Sequence, residues 1–415
     1  MKAIIERCCG IDVHKKQVVA CVMKGKADSE PTRQVEKFAT TTSGLKKLQR
    51  WLQQEGCTHV AMESTGSYWK PVFNILEEHF VVILANARHL KNVPGRKTDV
   101  KDCEWIAELL RHGLIPGSFI PPRNIRELRD LTRYRRKLLN MYSSEKNRIQ
   151  KVLEDANIKL GNVLSDVFGA SGQDMLEAIV EGRGEAKDIA NFARGRLKAK
   201  REQIQEAASG TVTDHHRFLI EHMLSHMRFL EEEIQKIDEK IKQHLEPLKE
   251  DYERLQTIPG VGKTAAASII AEIGTDMSQF PSSAHLSSWA GICPGNNESA
   301  GKKKCSRITS GNKWLKLTIV ESAWSGRKKK NSYLNIKYHR IAARRGSKRA
   351  AVAVAHTILI YCYYLMKYKC YYQDFNFSEL DAKIREKRKN YHLRCLNRLG
   401  YKADVTDADA NSPPC

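Results

Sequence analysis

The hydrophobic period of this chain changes once, near residue 123, and that change limits what it can fold into. Before that point apolar residues come in short runs. IIERCCGIDV (4–13) and QVVACVMK (17–24) predict two strands joined by the polar turn His14-Lys15-Lys16, and a third strand is expected over 34–40. Residues 43–55 carry Leu45, Leu48, Trp51 and Leu52 at helical spacing, and HVAMES (59–64) and FVVILA (80–85) predict two further strands. Strands alternating with helices imply an α/β layer fold built on a central sheet. From about 123 to 155 the spacing becomes helical, with Leu128, Leu131, Leu138, Leu139, Tyr142, Ile149, Val152 and Leu153 three, four or seven apart. Residues 213–248 repeat the theme with Phe218, Met223, Met227, Leu230, Ile234, Ile237, Ile241 and Leu245. Two such helices can pair as an antiparallel hairpin, wind into a coiled coil between subunits, or serve as a linker packed on its own domain.

A chain of 415 residues exceeds one ordinary core, so several domains are expected. The patterns divide it into an α/β domain over 1–122, a helical or coiled-coil region over 123–250, and a mainly helical domain over 251–372. The last includes the apolar helix AAVAVAHTILIYCYYLM (350–366), and 373–415 reads as a basic helix followed by a disordered tail ending in NSPPC. No run of about 18 apolar residues is read from the sequence, so no membrane span is expected. The N-terminus, MKAIIERCCGIDVHKK, is charged too early for a signal peptide. Eleven cysteines without a CxxC pair suggest reduced cytosolic thiols, and neither a disulfide frame nor a zinc site.

Charge narrows the partner. The net charge is +22, and residues 301–400 alone hold 25 Lys and Arg against 5 Asp and Glu. An excess of that size in one segment fits a polyphosphate, since each phosphate neutralised releases counterions. A basic tail of ribosomal type is the alternative.

Four acids stand at informative positions. Asp12 closes the first predicted strand in GIDVHK, Glu63 closes a later one in AMESTG, and Asp99 and Asp102 lie in KTDVKD, where Thr98 or Asp99 can cap a helix over 100–112. Helical residues three apart share a face, so Asp99 and Asp102 can point to one place. If the strands of Asp12 and Glu63 are neighbours, four carboxylates meet at one sheet edge. They would repel without cations, and oxygen-rich sites suit Mg²⁺, which takes substrate phosphate oxygens as further ligands. Metals so held stabilise attacking and leaving oxygens in phosphoryl displacement.

Two loops resemble phosphate binders. GVGKT (260–264) lacks the first glycine of a P-loop, since Thr257 stands there and Pro259 interrupts the strand. It reads better as a hairpin between two short helices, either a plain connection or one whose glycine amides approach a nucleic-acid backbone. In SSWAGICPGNNESAGKKKCSRITSGNKWLK (287–316), Pro294 to Asn297 are expected to form a turn and Ala300-Gly301 to allow close approach of the backbone. Lys302, Lys303, Lys304 and Arg307 follow, and Gly311-Asn312-Lys313 introduces a helix. Ser299 sits before the lysines with no base nearby other than Glu298, so local chemistry alone favours a turn serine over a nucleophile.

Five stretches together resemble the IS110-type insertion-sequence transposases, the bridge-RNA-guided recombinases. They are GIDVHK (10–15), AMESTGSYWKPV (61–72), NARHLKNVPGRKTDVKDCEWIAELL (86–110), LQTIPGVGKTAAASIIAEIG (255–274) and WAGICPGNNESAGKKKCSRITSGNKWLK (289–316). They occur in the family order and span most of residues 1–370. The resemblance implies an α/β RuvC-like (RNase H-type) domain with a DEDD metal set on Asp12, Glu63, Asp99 and Asp102. A coiled-coil region and a mainly α-helical transposase domain follow, with the serine nucleophile at Ser299. It implies Mg²⁺, with Mn²⁺ as the alternative, and a transient phosphoserine link to DNA. The expected partners are double-stranded donor and target DNA, a structured bridge RNA that supplies sequence specificity, and further copies of the chain, two to four in all. The setting would be the bacterial cytoplasm, at the nucleoid. The family often has two serines before the glycine, whereas this chain reads Glu298-Ser299-Ala300-Gly301, which leaves Ser299 as the matching residue.

The basic segment can then hold DNA or guide RNA through charge and A-form shape. Arg307, Lys313, Arg344, Arg345 and Lys348 are the preferred contacts beside Lys302, Lys303 and Lys304. Two other functions remain open on the residues: a metal-dependent nuclease or Holliday-junction resolvase in which water attacks, and a non-enzymatic nucleic-acid-binding protein.

Overall fold

The structure, a computed structural model, describes residues 3–64, 66–86, 99–183, 185–295, 297–299, 302–305, 307–330, 332–374 and 377–402. The chain divides into two compact units, Met1–Pro121 and Pro122–Cys415.

The first unit is built on a five-stranded mixed sheet. Its strands are β1 (Arg7–Val13), β2 (Gln17–Lys24), β3 (Thr32–Ala39), β4 (His59–Glu63) and β5 (Val81–Ala85), in the order β3-β2-β1-β4-β5. β1, β2 and β3 form an antiparallel meander, and β4 and β5 run parallel to β1. Helix α1 (Thr42–Gln54) connects β3 to β4, α2 (Trp69–Leu76) lies between β4 and β5, and α3 (Asp99–Arg111) follows β5.

Alternation along the strands assigns the helices to layers. Cys9, Ile11 and Val13 of β1 and Val60 and Met62 of β4 pack with Leu45, Leu48 and Leu52 of α1 and Val72 and Leu76 of α2. The intervening Cys8 and Ala61 pack with Cys103, Ile106, Ala107 and Leu110 of α3. The edge strand β3 is almost wholly exposed and carries Arg33, Glu36 and Lys37, charges that discourage pairing with another chain's edge.

The second unit is helical. α4 (Arg123–Asp155) returns to the family of long helices through α8 (Asp214–Leu245), and between them lie α5 (Ala170–Val180), α6 (Ala186–Asn191) and α7 (Arg201–Ala208). The contacts Arg135–Asp238, Tyr142–Glu231, Glu145–His226 and Asp155–His216 advance along α4 while retreating along α8, so the pair is antiparallel. Leu138, Leu230 and Ile234 form the seam between them. α5 to α7 close a core of their own with Ile149, Leu153 and Met227.

The remainder comprises α9 (Lys249–Gln256), α10 (Lys263–Ile273), α11 (Ser283–Ala290), the hairpin β6 (Asn297–Ser299) and β7 (Lys302–Cys305), α12 (Lys313–Gly326), α13 (Tyr333–Arg345), α14 (Ser347–Tyr368) and α15 (Phe377–Arg398). α14 is the apolar helix expected over 350–366. It is long and apolar enough, by length and composition, to cross a membrane. Val354, Ile358, Leu359 and Cys362 of this helix are buried within the unit. Residues 403–415, expected to form a disordered tail, lie outside the described residues.

Candidate active site

In the first unit the strand register does what the acidic pattern required. Ile11 of β1 pairs with Met62 of β4, so the next residues, Asp12 and Glu63, lie side by side near the C-terminal ends of adjacent parallel strands. Both follow the alternation onto the α3 face, because Ile11 and Met62 point into the opposite core. What brings α3 to that face is Gly10. A Cβ there would lie 2.2 Å from the Cys103 carbonyl oxygen and 2.3 Å from the Ala107 amide nitrogen, so backbone rests directly on backbone. The first turn of α3 then carries Asp102 to the strand ends.

Electrostatics records the convergence. The Asp12 carboxyl is pushed above its ordinary value, first by burial, with His14 opposing and the charges of Asp102 and Glu63 raising it further. His14 Nε2 stands 2.9 Å from Asp12 Oδ2, a polar partner that sequence reading placed in a mere turn. Among the described residues no three His, Cys, Asp or Glu side chains close into a ligand cluster. Asp99 opens α3 on its backbone, three residues before Asp102; its side chain, like Thr98, lies outside the described residues. The donor set is made of hard carboxylate oxygens that repel one another, which fits Mg²⁺ and not a thiolate-seeking metal.

Gly10→Val tests this arrangement. The added methyls meet the α3 backbone, so the unit should lose about 3 kcal/mol by overpacking, read as a lower denaturation midpoint. Gly10→Ala should lose less, in proportion to the smaller displacement of α3.

In the second unit Ser299 ends β6 and pairs with Lys302, the first residue of β7. This corrects the expected turn at Pro294–Asn297: Pro294 bridges Ile308 and Asn297 lies in β6, paired with Cys305. Strand pairing with residues 302–305 and 307–309, invisible locally, holds these residues extended where turn formers were read. The side chains of Ser299, Lys302, Lys303 and Lys304 lie outside the described residues.

The arms of the hairpin are fixed at their base. The Gly295 amide donates to the Arg307 carbonyl at 2.9 Å, the Thr309 amide to the Cys293 carbonyl at 3.1 Å, and Lys316 Nζ to the Thr309 carbonyl at 3.0 Å. Gly291, at φ +70°, crosses Gly311 so closely that a Cβ on Gly311 would sit 2.4 Å from the Gly291 nitrogen. Beneath lies a buried carboxylate that sequence reasoning missed. Glu272, 2% exposed, takes Arg133 in a fork at 2.7 and 2.8 Å and the Asn312 amide at 2.6 Å. Asn312 Oδ1 meanwhile accepts from the Trp314 and Leu315 amides, which caps α12. Arg129 donates to the carbonyls of Ala271 and Glu272, and burial lowers its pKa to about 10 against the opposing pull of Glu272. The pattern AEIG on an apolar helix was the one signal available: a lone acid on a buried face needs partners.

Removing those partners should be costly. Arg133→Ala leaves Glu272 undercompensated in the core, and a loss of about 3 kcal/mol is expected in chemical denaturation, whereas Arg136→Ala, at the exposed Glu321 pair, should cost under about 1 kcal/mol.

The helix pair expected around GVGKT is present as α9 and α10. Gly260, at φ +88°, is committed to packing, since a Cβ there would lie 2.2 Å from the Ser322 carbonyl oxygen, while Gly262 faces open space. Of the proposed contacts, Arg307 and Lys313 are exposed beside the hairpin, and Arg344, Arg345 and Lys348 are exposed where α13 turns into α14.

Comparison with known proteins gives three matches. Residues 9–158 match a DEDD transposase family of IS110 type, described as "Transposase". Residues 252–339 match the "Transposase IS116/IS110/IS902 family". The chain is 34% identical over 129 residues to "Transposase for insertion sequence element IS1111A" of Coxiella burnetii (strain RSA 493 / Nine Mile phase I). That alignment covers 29% of this chain and 35% of the relative, about a third of each.

Proposed function

This chain belongs to the IS110 family of insertion-sequence transposases, and from that premise we propose that it cuts and rejoins DNA strands through Ser299, assisted by the acidic set and guided by a structured RNA. The observation that carries the reading is the placement of Asp12 and Glu63 on adjacent strand ends under the first turn of α3. Separate matches to a DEDD family and to a transposase family, on the acid-bearing and serine-bearing segments, support it.

Asp12, Glu63, Asp99 and Asp102 would hold the divalent cation. Bound there, Mg²⁺ or Mn²⁺ supplies charge neutralisation for a phosphate's non-bridging oxygens. Burial of Asp12 helps, because a carboxylate costly to ionise alone gains most from a cation. Ser299 is the nucleophile, at the end of β6 in a hairpin whose base is held by the Gly295–Arg307 and Thr309–Cys293 backbone bonds. Its attack replaces one phosphodiester with a phosphoserine bond and conserves the energy needed for rejoining, which a water-driven nuclease would lose. Lys302, Lys303, Lys304, Arg307 and Lys313 would neutralise the strand beside the serine. Arg344, Arg345 and Lys348 would track a second length of backbone. The antiparallel α4–α8 pair is proposed as the coiled-coil element that joins copies of the chain.

The test is recombination between donor and target DNA by purified protein, with and without the RNA transcribed from the DNA flanking its reading frame. Recombination should require that RNA and follow base changes made in its loops. Equal recombination without RNA would overturn guidance, and strand breaks without rejoining would favour a resolvase-like nuclease.

A further inference from the structure

The C-terminal end of α14 and the four residues after it carry six tyrosines in twelve residues, YCYYLMKYKCYY (361–372), that the proposed chemistry does not use. Tyr363 belongs to the core: it is buried, and its hydroxyl donates to the Phe280 carbonyl at 3.1 Å. Tyr364, Tyr368 and Tyr371 are instead 43%, 64% and 54% exposed. Tyr364 and Tyr368 stand one helical turn apart with rings 3° from parallel and centroids 5.9 Å apart. Lys367 lies between them in sequence, with its ammonium 5.8 Å from the Tyr368 ring, and the Arg254 guanidinium lies 5.7 Å from the Tyr371 ring. Two acids lie nearby, and both are paired: Asp251 takes Lys369 at 2.9 Å and Arg254 as well, and Glu250 takes Arg254 at 2.9 Å.

Large aromatic faces left in water, kept parallel and interleaved with cations, have the chemistry of a platform for unpaired bases. Every base has a π-face, and Lys367 can meet a phosphate between them. A duplex offers no free base faces to such a surface.

We infer that Tyr364 and Tyr368, with Lys367 and Tyr371, form a stacking site for unpaired bases of single-stranded nucleic acid. It lies at the end of α14 opposite Lys348, about 30 Å away along the helix at 1.5 Å per residue, so one strand can engage both ends. The assignment to a guide strand rests on the function proposed above; the stacking itself does not.

The test measures binding of the full chain to fluorescent oligouridine and oligothymidine of about 12 nucleotides, and to an RNA duplex of equal length, across a salt series. Tyr364→Ala with Tyr368→Ala should weaken single-strand binding about tenfold or more, leave duplex binding and the salt slope unchanged, and be rescued by Phe at both positions. A larger loss on oligouridine assigns the site to RNA, and a larger loss on oligothymidine to displaced DNA. Unchanged single-strand affinity, or equal loss on the duplex, overturns the site. So does a change of oligomeric state at constant affinity, which would make the patch an interface between copies. Recombination by the wild-type protein is scored separately. A protein that recombines with unaltered binding in the Ala variant refutes the platform alone, and one that stacks single strands without recombining refutes the function alone.

Discussion

Ser299→Ala should reduce strand exchange by about a thousandfold or more while leaving RNA and DNA binding within twofold of wild type, since only the attacking oxygen is removed. The hairpin is expected to survive, because its base is held by Gly291, Gly311, Asn312 and Lys316, all remote in sequence from the tip. Ser299→Cys is the informative companion. It keeps a nucleophile in place with a longer bond and a lower pKa, so a weak residual activity is expected from it and none from the alanine variant. Recombination assays, with gel-shift titrations on the same preparations, separate chemistry from binding. A Ser299→Ala protein that exchanges strands at the normal rate would remove the serine from the mechanism.

Asp12→Asn and Asp102→Asn should each lower recombination by at least about a hundredfold and abolish stabilisation by added Mg²⁺. The effect of Asp12→Asn on the metal-free protein runs the other way. A carboxyl whose folded pKa lies above its unfolded value loses stability as pH rises between the two, so at neutral pH an ionised Asp12 is a standing cost. Asparagine removes that cost, and the metal-free melting temperature of Asp12→Asn at pH 7 should equal or exceed that of wild type. Melting curves with and without Mg²⁺ check both halves. Unchanged recombination in either variant would remove the acidic set from the mechanism.

The parts of this protein legible from sequence are those set by local periodicity. β2 occupies the expected 17–24, and α4 fills the expected 123–155, because alternation and the three-four spacing are local properties. The adjacency of Asp12 and Glu63 was conditional on sequence alone, since no local rule says that β4 pairs with β1. Gly10 looked like punctuation in GIDV. Its function is to admit the backbone of a helix nearly a hundred residues away. The turn expected at Pro294–Asn297 failed for the same reason: proline and asparagine favour turns in isolation, and strand pairing across the hairpin overrode them. Glu272 was invisible as a keystone because its partners Arg133 and Asn312 come from two distant elements. Each miss is a long-range contact, and each lies where the fold shapes its candidate site.

The central claim is that a serine, and not water, attacks the phosphodiester. The direct measurement is mass spectrometry of the protein recovered under denaturing conditions from a reaction on DNA nicked to prevent rejoining. The account predicts a peptide carrying a nucleotide phosphate on Ser299. DNA cut to free ends, with no nucleotide on any peptide, would contradict it.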